Sequence, residues 1–280
     1  METPKSPYLL EIINYGVNVL VKEGISNAKK EIEWFCQKKL NIPNLLLIDE
    51  NKTITINEKT NLLKFIDRRK KQEPFQYIIE EAPFYNQDFY VNKHVLIPRP
   101  ETEIIIEILQ TKTFYSALDI GTGSGNLAII LSLQKIAKNI KAIDISKEAL
   151  KVAKKNIQIF NISNIQLECQ DFLTEKFNEK FDLIIGNPPY ISSKDYNDLS
   201  YTVKKYEPKI ALTDLDDGYK FYRYIADNFC AFINTNGMML LEIGLEKTKP
   251  YINKLFTSKG YKTTWYKDYN KNYRIIKIEK

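Results

Sequence analysis

From Pro100 onward, short apolar runs alternate with amphipathic segments, and this alternation constrains the fold more than any other feature of the chain. Strands are expected at 116–120, 139–143, 164–168, 181–186 and 237–243, and near 261–267 and 272–278. Helices are expected between them, at 101–110, 125–136, 146–159, 217–233 and 247–258. Strands that return through helices lie parallel. The expected architecture is therefore α/β, a mostly parallel seven-stranded sheet covered on both faces, with ligands bound beyond the strands' carboxyl ends.

The residues before this pattern read differently. Between Pro7 and Gln72 the apolar residues recur at helical spacing: Leu9, Ile12, Ile13, Val17 and Leu20, then Ala28, Ile32, Phe35 and Cys36, then Leu62, Phe65 and Ile66. Breaks fall at Gly24 with Ser26, at Asn41 to Pro43 and at Asn51 to Asn57, with 52–56 as a short extended piece. From Glu73 to Val95, two prolines and the partial alternation of aromatics such as Phe84, Tyr85, Phe89 and Tyr90 suggest a β-hairpin. The organisation expected is a small all-helical domain over 1–72, a β-hairpin linker over 73–98 and the α/β domain over 99–280.

Several function classes are argued against by composition. Cys36, Cys169 and Cys230 have neither paired spacing nor an even count, and the single histidine, His94, has no ligand cluster around it. Disulfides, structural zinc and a Ser-His-Asp triad are not expected. The N-terminus lacks a basic segment followed by a long apolar run, and no stretch reaches the roughly 20 apolar residues of a membrane-spanning helix. A cytoplasmic location, with no membrane contact, is expected. The net charge of +6 would suit an acidic or RNA-bound partner. Lys supplies most of it, alongside abundant Asn and Ile, as an AT-rich coding sequence would produce, so the charge carries little weight and no stable nucleic-acid binding is required.

The stretch "ALDIGTGSGNLAIIL" sets Gly121, Gly123 and Gly125 between a strand and a helix, where bare backbone can approach a ligand and helix N–H groups point at it. A nucleotide-like cofactor is the natural occupant. The spacing departs from the dinucleotide fingerprint and lacks the Lys-Ser/Thr ending of a P-loop. Asp144 ends the next strand, where an acid can accept hydrogen bonds from both ribose hydroxyls; Asp171 ends the one after, followed by Phe172, a pair suited to an adenine amine and an adenine face. Taken singly, each acid could be a helix cap, and Asp144 before Ser146 invites that reading. Asp119, inside the first strand, needs a partner, because an unpaired buried charge costs several kcal/mol. The ligand's amino-acid end or nearby backbone amides could provide one.

At "FDLIIGNPPY" an apolar strand stops at Asn187, Pro188, Pro189 and Tyr190. Proline has no N–H and fixes its own φ, and a residue before proline is held extended, so the tetrapeptide is a rigid platform. A planar conjugated nitrogen, in a carboxamide or an exocyclic base amine, is a weak nucleophile whose lone pair must be aimed. The side-chain oxygen of Asn187 and the carbonyl of Pro188 could each accept one of its N–H groups, with Tyr190 stacked on the planar group. The plainer alternative is a Pro-Pro turn that merely ends a strand.

The glycine loop and its acids resemble the S-adenosylmethionine-dependent methyltransferase fold, a Rossmann-like class I domain whose first motif reads much like "LDIGTGSG". The resemblance implies that Asp119, Gly121, Thr122, Gly123, Gly125, Asp144, Ile145, Asp171 and Phe172, with Asn187 beside them, form a pocket for S-adenosyl-L-methionine. The Asn-Pro-Pro-Tyr platform is shared by amino-methylating DNA enzymes and protein-glutamine methyltransferases. Upstream, "VLIPRPETEIIIE" at 95–107 resembles the peptide chain release factor glutamine methyltransferase family, where Ile-Pro-Arg-Pro-Glu/Asp-Thr-Glu precedes the catalytic domain. The related ribosomal-protein glutamine methyltransferases carry Ser after that Arg, where this chain has Pro100 followed by Glu101, Thr102 and Glu103.

This resemblance implies an enzyme that methylates the side-chain amide nitrogen of the glutamine in the Gly-Gly-Gln loop of class I release factors, acting as a monomer. Asn187, Pro188, Pro189 and Tyr190 would grip that glutamine. Arg99 with Thr102 would shape the substrate pocket, although Arg99 could equally be a surface cation flanked by prolines. The N-terminal helices would add a second contact to the release factor. Departures from the family pattern are Asn126 and a Lys-rich loop at 204–209. Besides the ribosomal-protein enzymes, two other readings stand. A DNA adenine methyltransferase would need a target-recognition region and more Arg, and a non-catalytic ribosome-associated binding protein would have no reason to keep both the acids and the platform.

Overall fold

A computed structural model of the chain describes residues 4–42, 49–175, 177 and 179–280. The chain divides into two compact units, Met1–Glu81 and Ala82–Lys280.

The first unit is helical. Helices α1 (Leu9–Lys22), α2 (Ala28–Leu40) and α3 (Ile56–Lys70) bury Leu9, Ile12, Ile32, Phe35, Leu62 and Phe65 in one cluster. These are the residues at helical spacing in the sequence. Helix α3 opens on a capping box, in which Thr55 Oγ1 accepts from the Glu58 amide at 3.2 Å and Glu58 accepts from the Thr55 amide at 2.8 Å. Glu31 is buried because Arg69 pairs with it at 2.6 Å. The break at Asn41 is a left-handed C-cap, while Pro43 lies outside the described residues. The extended piece at 52–56 reduces to a single bridge between Tyr8 and Thr53, because Thr55 already caps α3.

One part of the expected hairpin linker is helical instead. Residues Phe75–Ile79 form α4, with Phe75, Ile78 and Ile79 buried in the core of the helical unit. Their burial on one short helix outweighs the extended bias of the aromatic run. The hairpin itself is confined to β1 (Glu81–Phe84) and β2 (Gln87–Tyr90). Its two-residue turn places Tyr85 and Asn86 at φ of 49° and 58°, the twist that antiparallel neighbours require.

The second unit continues with a 3-10 turn at Pro100–Thr102, α5 (Glu103–Leu109), β3 (Phe114–Ile120), α6 (Asn126–Leu133), β4 (Ala137–Asp144), α7 (Lys147–Ile159), β5 (Ile165–Cys169) and β6 (Phe181–Gly186). Three short helices follow, α8 (Ser193–Tyr196), α9 (Tyr201–Tyr206) and α10 (Lys209–Leu212). Helix α11 (Lys220–Phe232), β7 (Ile233–Glu242), α12 (Lys249–Thr257), β8 (Lys262–Lys267) and β9 (Tyr273–Glu279) complete it. The sheet order is β5-β4-β3-β6-β7-β9-β8, parallel except for β9, which runs antiparallel to both neighbours. Alternation along the strands divides the core between the two faces: Leu183 and Ile185 of β6 join Ile105 and Ile129 on one side, and Ile184 joins Tyr222 and Phe229 on the other.

The chain builds β3, β4 and β5 outward in one direction and then returns to place β6 against β3 on the other side. That reversal opens a crevice at the carboxyl ends of β3 and β6, the usual place for a ligand in such a sheet. Among the described residues no helix is long and apolar enough to cross a membrane.

Candidate active site

A cavity of about 300 Å³ lies at that crevice, lined by residues that follow β3, β4, β5 and β6 and by the segment before α5. Its floor is the glycine loop. Gly121, Gly123 and Gly125 all take positive φ, at 68°, 55° and 79°, a region that only glycine enters without strain. Gly121, Thr122 and Gly123 line the cavity, but Gly125 does not. Gly125 instead ends the loop as the N-cap of α6, where a Cβ would lie 3.3 Å from Ala153 of α7. Gly125 thus packs α6 against α7, between Ser124 and Asn126 of the cavity lining. Asn156 of α7 holds the loop from below, donating to the Ser124 carbonyl at 2.8 Å while exchanging hydrogen bonds with the backbone of Tyr90 in the hairpin.

The acids stand at successive strand ends as the alternation requires. Asp119 is buried; its Oδ2 accepts from the Thr122 hydroxyl at 2.7 Å, and its Oδ1 has no hydrogen-bond partner. Burial pushes its carboxyl up to about 7 against the Thr122 hydrogen bond, with the nearby Asp144 adding to the rise. Asp144 accepts from the Gly123 amide at 3.0 Å and the Ser146 amide at 2.8 Å, and burial raises its carboxyl despite both. Asp144 is not the cap of α7, because Ser146 fills that place by accepting from the Ala149 amide. Asp171 turns its two oxygens to its own loop, taking the Leu173 amide and the Thr174 hydroxyl, each at 2.9 Å.

Phe172 serves the core as well as the cavity wall. Its ring is 4% exposed and packs against Phe177, Tyr224 and Phe232, with centroids 5.2–5.5 Å away. It belongs to the core and still lines the cavity, beside Leu173 and the half-exposed Ile145. Gln170 also lines the cavity, buried, with Oε1 unpartnered.

Asn187, Pro188 and Pro189 follow β6 on the opposite wall. Asn187 Nδ2 donates to Thr102 Oγ1 at 3.2 Å, and Thr102 donates to Glu242 at the end of β7. Tyr190 follows Pro189 at the edge of the cavity lining. Its ring packs on Gly244, where a Cβ would sit 2.9 Å away, and its hydroxyl donates to Glu242 at 3.1 Å. Burial, with the Glu242 charge, holds the Tyr190 hydroxyl well above its ordinary range, so it remains a donor. Burial also raises the Glu242 carboxyl, against the two hydroxyls and Arg274.

Arg99 lines the cavity and pairs with Glu207 at 2.6 Å, so it is a wall residue rather than a free surface cation. Glu242, Glu207 and Gln170 were not singled out in the sequence. An acid inside the apolar run "MMLLEIG" is the same kind of signal as Asp119, and it was available for Glu242.

The sheet and crevice define a class. A methyltransferase from Pyrococcus furiosus superposes with a TM-score of 0.53 over 80% of this chain and 98% of its own, at 19% identity, which fixes the fold as methyltransferase-like. Residues 100–205 match the methyltransferase small domain, and residues 11–79 match the PrmC N-terminal domain. Among curated relatives, the release factor glutamine methyltransferase of Fusobacterium nucleatum is 33% identical over 97% of this chain and 78% of its own length. That of Streptococcus pneumoniae is 35% identical over 81% of this chain and 82% of its own. The chain belongs to the release factor glutamine methyltransferase family. It also matches the bifunctional methyltransferase of Rickettsia prowazekii at 34% identity, although it spans only 56% of that longer protein.

Proposed function

We propose that this protein transfers a methyl group from S-adenosylmethionine to the side-chain amide nitrogen of the glutamine in the Gly-Gly-Gln loop of class I release factors. The observation that carries the reading is the contact between Asn187 of the platform and Thr102 of the Ile-Pro-Arg-Pro-Glu-Thr-Glu segment at one cavity wall. The two motifs that narrow the acceptor are thus parts of one site.

The cavity fits the proposed cofactor. The unpartnered Asp119 Oδ1 is an acceptor for the methionyl ammonium, Asp144 for the ribose hydroxyls, and Asp171, with Phe172 and Ile145, for the adenine. S-adenosylmethionine, when bound, supplies an electrophilic methyl on a sulfonium, so no protein nucleophile is required.

The chain's own part is then orientation. Asn187 Oδ1 and the Pro188 carbonyl would accept the two amide N–H groups of glutamine, leaving its lone pair aimed across the crevice. No strong base is needed before transfer, because the nitrogen becomes acidic only as it gains the methyl. The reading carries with it a cytoplasmic monomer with a protein partner, the helical unit adding a second contact to the release factor.

The test is a mass spectrum of the Gly-Gly-Gln peptide of a purified release factor after incubation with this protein and S-adenosylmethionine, with Asn187→Ala beside it. A gain of one methyl at that glutamine, abolished by the substitution, is expected. Transfer to DNA or to a ribosomal protein in place of that glutamine would overturn the choice of acceptor.

A further inference from the structure

We infer that Glu242, acting through the hydroxyl of Thr102, sets which way round the side-chain amide of Asn187 stands, and is therefore a positioning residue for the platform. An asparagine amide has two nearly isosteric orientations, and its hydrogen-bond partners decide between them. The partner of Asn187 is Thr102 Oγ1. A hydroxyl carries one proton, and Thr102 gives it to Glu242 Oε2, while the Tyr190 hydroxyl serves Oε1. A carboxylate only accepts, so Thr102 has lone pairs alone to offer Asn187, and only the NH₂ end of the amide suits them. Oδ1 takes no hydrogen bond from the described residues and is left as an acceptor on a residue that lines the cavity. The reverse orientation would set a donor against the donor groups of a carboxamide substrate.

The arrangement also accounts for a buried acid in an apolar strand. Glu242 is 1% exposed, and a carboxylate so placed is costly unless hydrogen bonds serve it. Both of its hydroxyl donors flank the platform. Its kinetic consequence rests on the proposed amide chemistry, whereas the orientation of Asn187 does not.

The experiment uses the full ¹⁵N-labelled chain as wild type, Glu242→Gln, Thr102→Val and Thr102→Ser. The side-chain NH₂ signals of Asn187, identified by their loss in Asn187→Ala, report its hydrogen bond through their exchange with solvent. A Gln at 242 can donate to Thr102 and free the Thr102 proton for Asn187 Oδ1, so an isosteric change reverses the chain of donors. Exchange of those protons is expected to speed up about tenfold in Glu242→Gln and Thr102→Val, the equivalent of one lost hydrogen bond, and to slow again in Thr102→Ser. Should Thr102→Val fail to fold, Glu242→Gln carries the same reading.

In parallel, kcat/KM on a Gly-Gly-Gln peptide should fall by about tenfold or more in the first two variants, through kcat, and recover in Thr102→Ser. Asn187 signals that respond to neither Glu242→Gln nor Thr102→Val overturn the inference whatever the activity. Signals that respond in a protein unable to methylate the peptide uphold it and overturn the proposed substrate instead.

Discussion

The guanidinium of Arg99 lies 2.6 Å from the carboxylate of Glu207, joining the segment before α5 to the end of α9 across one wall of the cavity. Glu207 also accepts from the Ile97 amide, and its side chain is only 3% exposed against 33% for Arg99. Removing the cation would leave a buried carboxylate with one weak partner. Arg99→Ala is expected to cost about 2 kcal/mol, less than for a fully buried pair because the guanidinium is part solvated. Thermal unfolding should fall by about 5 °C, and Glu207→Gln in the same protein should recover about half of that.

Asp119 makes stability depend on pH. Its carboxyl ionises near 3.8 in the unfolded chain and at about 7 when folded. The unfolded state therefore sheds the proton first, so this residue's contribution is fully present below about pH 4 and is lost as pH rises through 7. The loss amounts to roughly 4 kcal/mol at most. Urea unfolding at pH 5 and pH 8 should show Asp119→Asn gaining on the wild type at the higher pH. If the unpartnered Oδ1 receives a cationic ligand, adding S-adenosylmethionine near pH 6.5 should also release protons, seen by calorimetry in buffers of different ionisation enthalpy.

Two loop glycines should separate binding from stability. A Cβ on Gly121 would meet no atom within 4 Å, at a residue that lines the cavity, whereas one on Gly125 would press on Ala153 and Ile129 at 3.3 Å. Gly125→Ala is expected to cost about 2 kcal/mol of stability, from left-handed strain plus crowding, with little change in cofactor affinity. Gly121→Ala should cost about 1 kcal/mol yet weaken S-adenosylmethionine binding tenfold or more, by closing off the backbone approach. Urea titrations and isothermal calorimetry on both variants check the contrast.

The helical unit should matter for the whole substrate and not for its loop. A chain lacking residues 1–81, the whole helical unit, is expected to keep activity on a free Gly-Gly-Gln peptide while losing most of it on an intact release factor. Parallel rate measurements on the two substrates decide this; equal losses on both would assign the helices to fold stability instead.

Much of the α/β unit was legible because each element announces itself by period. Strands expected at 181–186 and 139–143 appear at Phe181–Gly186, an almost unbroken apolar run, and at Ala137–Asp144, where the apolar residues gather at 140–143 around Lys141. The short helices α8, α9 and α10 were not legible, because four to six residues complete too few turns to show a period. Helix α4 was misread because aromatic residues suit a strand and a buried helical turn equally well.

By itself the sequence determined the loop glycines, the acids at successive strand ends and the stiff Asn187–Pro188–Pro189 platform, because backbone conformation and strand position are local properties. Partnership was decided only by the tertiary structure. Phe172 packs into the core as well as lining the cavity, and Gly125 packs against α7, because neighbouring elements, distant in sequence, fill the space around them. Tyr190, Thr102 and Asn187 became one hydrogen-bonded chain because the sheet brings the end of β7 beside the end of β6, where Glu242 needs donors to be buried at all.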